Sequence, residues 1–472
     1  MVLSLFILLP ALVGLLLLLM KQQKPFVWLG AVLSGFLLAL MTFLFYRGGS
    51  NELQYTAEWF NFNQLKTYYA LDATNLGGLM VFLSTLVYSL LFIYLAASKQ
   101  KYSNVFYGLM LITLAGLNGV FLAKDLILFY FFWELVLIPT YFLIGIWGKG
   151  YNKIMANMTF FLYTVFGSML MLAGIIFIGF HLQPKSFLFY DVQAVTAQQY
   201  CATSLLALLF LIAFVIKIPI FPFHTWQPTI YKTSPTPVTV VLSALMAKMG
   251  LFAVVKWYIG LFPMASEYLP YFLIPALIGI LYASLIALST NNVKKIIAYS
   301  SIAHLALIFL SLFTNEPTGF TAAFFQMFSH GLVVLGLWLI VDIMEKRYHV
   351  TNLKSLSGIA TVNPTIAIFF MVFAMANIGL PLTSSFIGEF MMLSALFKYN
   401  MFWAIIASLG VILSAVYTLR MMSALMFGKT TYRYAGKHHT EKPGVIIVLS
   451  LITILIIYFG VHPNAIFSLL AH

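Results

Sequence analysis

Apolar stretches about twenty residues long, the length needed to cross a bilayer as a helix, recur from one end of this chain to the other. A scan for them finds fourteen: 2–20, 27–46, 77–98, 104–123, 125–147, 155–180, 203–223, 236–262, 270–290, 296–313, 319–344, 363–397, 401–419 and 444–468. Lipid offers a bare backbone no hydrogen bonds, so only helices or closed barrels span it, and stretches this long and uniformly apolar do not alternate as barrel strands do. The expected fold is an all-α polytopic membrane bundle, a single membrane domain over 1–472, because the polar stretches near 47–76 and 345–362 read as loops or surface segments. Composition agrees, at 62% hydrophobic and 8% charged residues. The first stretch lacks a basic leader region and a clear small-residue cleavage site, so it reads as a retained span.

A formal charge of +13 in a soluble protein would suggest nucleic acid. Here the cations fall mostly between spans, and no nucleic-acid partner is implied. With the loops numbered in order, the odd ones hold 17 of the 25 Lys and Arg, the even ones hold five (Arg47, Lys66, Lys124, Lys185 and Lys398), and three lie within spans. That split is what the positive-inside rule predicts for fourteen crossings with both termini on the non-cytoplasmic side. The single cysteine, Cys201, allows no internal disulfide, no multi-cysteine metal site and no iron-sulfur cluster of the chain's own.

Six ionisable residues sit well inside these spans: Glu134, Lys217, Lys248, His304, His330 and Glu389. A Lys or Asp near a helix centre costs roughly 2.5 to 3.5 kcal/mol, with Glu of similar order, so each such residue needs a compensating role. A pathway for protons or ions is one reading; structural ion pairs, helix–helix hydrogen bonds or snorkelling are the others. Two spans carry interruptions at comparable places, Lys217-Ile-Pro-Ile-Phe-Pro222 in the seventh and Gly379-Leu-Pro-Leu-Thr-Ser-Ser-Phe386 in the twelfth, and proline's missing donor predicts broken helices there. A charged residue stands close to each break. If Glu134 and Lys217 are adjacent, each holds the other charged; if apart, burial drives both towards neutrality. Asp125, nine residues before Glu134, faces nearly the opposite way and belongs at a helix end, not in a shared-proton dyad. Lys248 could take a proton from Lys217, and the two histidines suit a relay because their ordinary pKa lies nearest neutrality. They lack a third ligand for a metal. Lys256, two turns past Lys248, suits snorkelling.

Phe131-Phe-Trp-Glu134, Lys217-Ile-Pro-Ile-Phe-Pro-Phe-His-Thr-Trp226, Ala298-Tyr-Ser-Ser-Ile-Ala-His304, Gln326-Met-Phe-Ser-His-Gly331 and Gly388-Glu-Phe390 resemble, in order and spacing over nearly the whole chain, the antiporter-like membrane subunits of respiratory complex I, chain M or subunit 4 class. The resemblance implies two inverted five-helix repeats, helices 4–8 at about 104–262 and 9–13 at about 270–419, with broken helices 7 and 12. It makes Glu134 the glutamate of the fifth helix, Lys217 the lysine of the broken seventh and Lys248 the bridging lysine of the eighth. His304 and His330 become the central-axis histidines and Glu389 the terminal residue of the twelfth, where related chains place a lysine. One departure stands out: after Trp226 the family usually reads Leu-Pro-Asp-Ala-His, whereas Gln227-Pro-Thr-Ile-Tyr231 lacks the acid and the histidine.

The function expected from that resemblance is proton translocation within NADH-quinone oxidoreductase of a bacterial inner membrane, with protons moving through the six residues. No cofactor is expected in this chain; NAD, FMN, iron-sulfur clusters and quinone belong to partner subunits. Expected partners are the other membrane subunits, the lipid bilayer and protons. A large subunit of a multi-subunit sodium/proton antiporter and a non-transporting assembly subunit are the alternatives.

Overall fold

The computed structural model describes residues 1–472 except 21–25, 48–52, 63–64, 74, 99, 101, 198–199, 263–268, 315, 349–350, 356, 429–439 and 471–472. The loop cations Lys21, Lys24, Lys99, Lys101, Lys429, Arg433 and Lys437 therefore lie outside the described residues, as do the side chains of Arg47 and Cys201.

In chain order the elements are α1 (Leu5–Leu19), α2 (Val27–Arg47), β1 (Gln54–Phe62), β2 (Leu65–Asp72), α3 (Asn75–Ser98), α4 (Asn104–Leu122), α5 (Leu126–Trp147), α6 (Lys153–Phe177), α7 (Phe189–Thr196), α8 (Tyr200–Lys217) and α9 (Trp226–Thr233). They continue with α10 (Thr236–Ile259), α11 (Pro270–Ser289), α12 (Val293–Ser311), α13 (Pro317–Tyr348), α14 (Pro364–Ile378), α15 (Ser384–Tyr399), α16 (Met401–Met426), α17 (Pro443–Val461) and α18 (Asn464–Leu470). Among the described residues twelve helices are long and apolar enough to cross a membrane, and α8 and α14 contribute two shorter apolar ones. Burial sorts them. The windows of α4, α10, α12 and α13 are 89%, 94%, 89% and 100% buried and form the bundle's centre, whereas α1, α2, α6, α16 and α17 stay below 40% and turn leucines, phenylalanines and isoleucines outward. Such an outer surface is stable only against lipid.

Both expected breaks are present. α8 stops at Lys217, the chain unwinds through Pro219 and Pro222, and α9 resumes at Trp226, beyond the apolar stretch read from the sequence. α14 ends at Gly379, whose φ of +76° is the left-handed turn that glycine adopts without steric cost, and after Leu380-Pro-Leu-Thr383 the helix restarts at Ser384. α10 is continuous but twice widens into a π-helical turn, at Leu242–Met246 and Val254–Ile259.

One surface segment departs from expectation. Within the polar stretch near 47–76, β1 and β2 pair antiparallel, with a bulge between Glu58 and Phe60. The hairpin is held by the bundle: Lys124 N donates to Ala70 O at 2.9 Å, Phe187 N to Lys66 O at 3.1 Å, and Tyr68 N to the Asp125 carboxylate at 3.0 Å. Asp125 also accepts from Ile127 N and Leu128 N, capping α5. Its burial pushes the carboxyl up to about 6, against the backbone donors that hold it down. This is the helix-end role expected of it.

Ion pairs join loops of matching parity. Lys149 and Lys294 meet Glu345 at 3.7 and 2.8 Å, and Arg347 meets Glu441 at 2.7 Å, all among odd loops. Lys124 meets Asp72 at 3.5 Å and Lys398 meets Glu316 at 3.4 Å, both among even loops.

Candidate functional site

The fully buried Lys248 projects from the centre of α10, just after the first π-helical turn. Its ammonium donates to Ser243 O at 2.6 Å, within that turn, and lies 2.8 Å from His330 Nδ1 on α13. When the lysine donates, the imidazole accepts at Nδ1 and carries its own proton on Nε2. His330 in turn faces His304 of α12, ring centroids 5.5 Å apart at 50°. His304 Nδ1 stands 3.3 Å from Glu389 Oε1, and Gln326 Nε2 stands 3.4 Å from the same oxygen. Lysine, two imidazoles and a carboxylate thus line up across four helices, with polar contacts at the two ends and, in the middle, two imidazoles that face each other without a hydrogen bond. Neither histidine Nε2 has a partner among the described residues.

The break in the second half shapes the end of that row. A Cβ on Gly379 would fall 2.5 Å from Glu389 Oε2, so the glycine that ends α14 also provides the space in which the carboxylate lies. Ser329, beside His330, bonds Ser384 and Ser385 at 2.6 and 3.1 Å and ties α13 to the first turn of α15. Just before the break, Asn377 donates to Ser300 and Thr418, and Tyr417 donates to Ser300 at 2.9 Å.

The first half is built differently. Lys217 is buried at the last position of α8, its ammonium 5.5 Å from the Trp133 ring and 5.8 Å from the Phe160 ring, within cation–π reach. Glu134, one residue along α5 from Trp133, is half-buried and makes no ion pair with Lys217. Glu134 Oε1 has no partner among the described residues. The break after α8 rests on α10 close to Lys248: a Cβ on Gly250 would lie 2.5 Å from Ile218 Cγ1. No hydrogen bond connects Lys217 to Lys248.

Four of the six ionisable residues are therefore in one row, and Glu134 and Lys217 form a separate, looser pair. Sequence reasoning gave no role to Gln326, Ser329, His224 and Ser301, quoted only inside motifs, nor to Trp338, and marked Gln227 and Tyr231 only as a departure from the family; all are buried, and His224 Nδ1, both amide atoms of Gln227, the Tyr231 and Ser301 hydroxyls and Trp338 Nε1 lack partners among the described residues. Gln227 and Tyr231 lie one helical turn apart on α9, where the family pattern is not kept, and Tyr231 packs on Trp338 with centroids 5.9 Å apart. A polar side chain inside an apolar span was the available signal, but serines and glutamines cost too little in a membrane helix to stand out by composition. Among the described residues no group of three or more His, Cys, Asp or Glu could hold a metal ion.

Comparison with known proteins gives a consistent picture. The family described as NADH:quinone oxidoreductase/Mrp antiporter, TM matches residues 123–416. NADH-quinone oxidoreductase subunit M of Rickettsia typhi is 39% identical over 352 residues, 74% of this chain and 71% of that one. NADH-ubiquinone oxidoreductase chain 4 of Chondrus crispus is 33% identical over 433 residues, 91% of this chain and 87% of that one. Among solved structures, a chain of respiratory complex I from Thermus thermophilus with bound NADH superposes with a TM-score of 0.86 at 28% identity over 100% of both chains. A chain of the Mrp complex from Dietzia sp. DQ12-45-1b reaches a TM-score of 0.87 at 21% identity, covering 99% of this chain and 95% of that one, which is a likeness of fold.

Proposed function

The chain belongs to the NADH:quinone oxidoreductase/Mrp antiporter transmembrane family, and from that premise we propose that it is the proton-translocating, antiporter-like subunit of an NADH-quinone oxidoreductase. The observation that carries this reading is the row Lys248–His330–His304–Glu389, buried throughout, with contacts of 2.8 and 3.3 Å at its two ends. A lysine that can lose its proton, two imidazoles and a carboxylate are groups able to hand a proton along once Lys248 is loaded. Lys217, steered by Glu134 and cradled by Trp133 and Phe160, is the loading group. In this scheme a proton comes from the cytoplasmic side to Lys217, passes to Lys248, and leaves near Glu389. The chain holds no redox centre; NAD, FMN, iron-sulfur clusters and quinone belong to partner subunits. Electron transfer there drives this relay through the adjoining membrane subunits.

Fourteen crossings, with both termini away from the cytoplasm of a bacterial inner membrane, complete the proposal. The matching parity of the loop ion pairs and the excess of cations on odd loops support it. Inverted repeats over about 104–262 and 270–419 agree with a break in one helix of each half.

Proton pumping and NADH-quinone turnover in membranes carrying Glu389→Gln test the reading. The variant complex is expected to assemble, and its protons pumped per NADH should fall. Full pumping would remove Glu389 from the pathway. Loss of assembly, with normal pumping in the remaining complex, would favour a chain whose buried charges only lock helices together. Pumping that depends on sodium would favour the cation/proton antiporter reading.

A further inference from the structure

The relay leaves unused a cavity of about 450 Å³ on the face of the bundle that bears the β-hairpin. Its charged lining is Asp72, Lys124 and Lys256, with Tyr190 beside them. Lys124 Nζ lies 3.5 Å from Asp72, donates to Gln54 Oε1 at 3.3 Å and stands over the Tyr190 ring at 5.1 Å, and is thereby held at the wall. Lys256 has no ion pair or hydrogen bond among the described residues; its ammonium stands 5.5 Å from the Phe252 ring, and it lines the same cavity as Asp72 and Lys124. Two cations against one carboxylate leave the cavity one positive charge in surplus. The rest of the wall is apolar, with Leu76, Val255, Phe324 and Leu470 prominent.

Depth identifies the chemistry. Leu76 and Lys256 lie in the terminal turns of α3 and α10, and Phe324 lies two turns into α13. Those positions are at the boundary between hydrocarbon and headgroups, where a lysine stem follows apolar surface and its ammonium meets phosphate. A volume of this size falls within the roughly 300–1,000 Å³ of small-molecule sites. We propose that this cavity binds a phosphate monoanion between Lys256 and Lys124, and that its source is an anionic phospholipid whose glycerol and acyl groups lie on the Phe252, Val255, Phe324 and Leu470 wall. A free phosphate satisfies the two lysines but leaves that wall uncovered. A zwitterionic headgroup brings a second cation to a site already in positive surplus.

The test uses the intact complex purified in detergent and two photoactivatable lipids, phosphatidylglycerol and phosphatidylcholine with matched acyl chains, with the labelled peptides identified by mass spectrometry. Phosphatidylglycerol should label peptides containing Phe189–Tyr190 and 252–260, and unlabelled phosphatidylglycerol should compete. One lysine near a membrane surface is worth about 1 kcal/mol, so Lys256→Gln should weaken this labelling about fivefold while Lys256→Arg retains it. Equal labelling by phosphatidylcholine, or none at these segments, would overturn the site. Displacement of the probe by inorganic phosphate alone would overturn the lipid source and leave a soluble phosphate as the ligand. Lys256→Gln without effect while the arginine variant also labels normally would remove Lys256 from the site.

Discussion

The two halves of this bundle hold their buried charges in opposite ways. In the second half His304, His330 and Glu389, with Lys248 joining from α10, stand next to one another in sequence, bonded at the two ends and facing ring to ring in the middle. In the first half Lys217 rests between aromatic rings, and Glu134, next to Trp133 on α5, makes no ion pair with it. A row of facing groups needs only its imidazoles to turn, since neither Nε2 is bonded among the described residues, whereas an isolated lysine must be brought to its acceptor. The difference places the controlled step of the proposed cycle between Lys217 and Lys248, where the α8 break rests on α10 at Gly250. It also explains why both halves contain a broken helix: one break frees a lysine at a helix end, the other opens space for a carboxylate.

The contrast is broken most directly at Lys248. Lys248→Arg keeps the charge and a donor for His330, but a guanidinium does not release its proton, so pumping should fall on the order of a hundredfold with assembly intact. Pumping near the normal rate would mean that Lys248 serves as a fixed charge. Next in size is Gly379→Ala. A β-carbon there meets Glu389 Oε2 at 2.5 Å and strains a backbone at φ +76°, which costs roughly 1–2 kcal/mol. Pumping should drop about tenfold while quinone reduction continues, and proton-flux assays on the assembled complex would measure it. An unchanged flux would separate the break from the carboxylate.

Smaller effects sharpen the first half. Trp133→Leu removes the ring nearest Lys217, and a cation–π contact is worth roughly 0.5–1 kcal/mol or more, so pumping should slow about two- to fivefold, with Trp133→Phe near normal. The smallest effect lies at Asp125, outside the relay. Its folded carboxyl titrates at about 6, above the ordinary 3.8, so its contribution to stability is present below the ordinary value and lost as pH rises through the folded one. Wild type should therefore gain melting temperature between pH 7 and pH 5 relative to Asp125→Asn. A difference that does not change with pH would show that the cap, and not the charge, decides this corner.

Much of this was legible in the sequence because membrane insertion is priced residue by residue. The spans, the two proline breaks and all six ionisable residues follow from local hydropathy and backbone chemistry, as does the helix-end role of Asp125. The hairpin at Gln54–Asp72 was not legible, since Ala70 and Lys66 of its second strand accept backbone bonds from Lys124 and Phe187, which come from distant loops. Nor were the π-helical turns of α10, whose residues are ordinary helix formers. His224, Gln227 and Tyr231 were visible as letters, but their burial depends on packing from afar: α11 and α12 bring Tyr282 and Tyr299 to His224, α12 lies along α9, and α13 brings Trp338 to Tyr231.

By itself the sequence determined that this chain lives in a membrane, where its helices break and which charges lie in hydrocarbon, because each is a property of some twenty consecutive residues and their solvent. Only the tertiary structure decided that Lys248, His330, His304 and Glu389 form one row while Lys217 stands apart. A helix apolar on every side carries no stripe to say which way it turns, so the rotation and register that bring two side chains to 3 Å are settled by packing between helices.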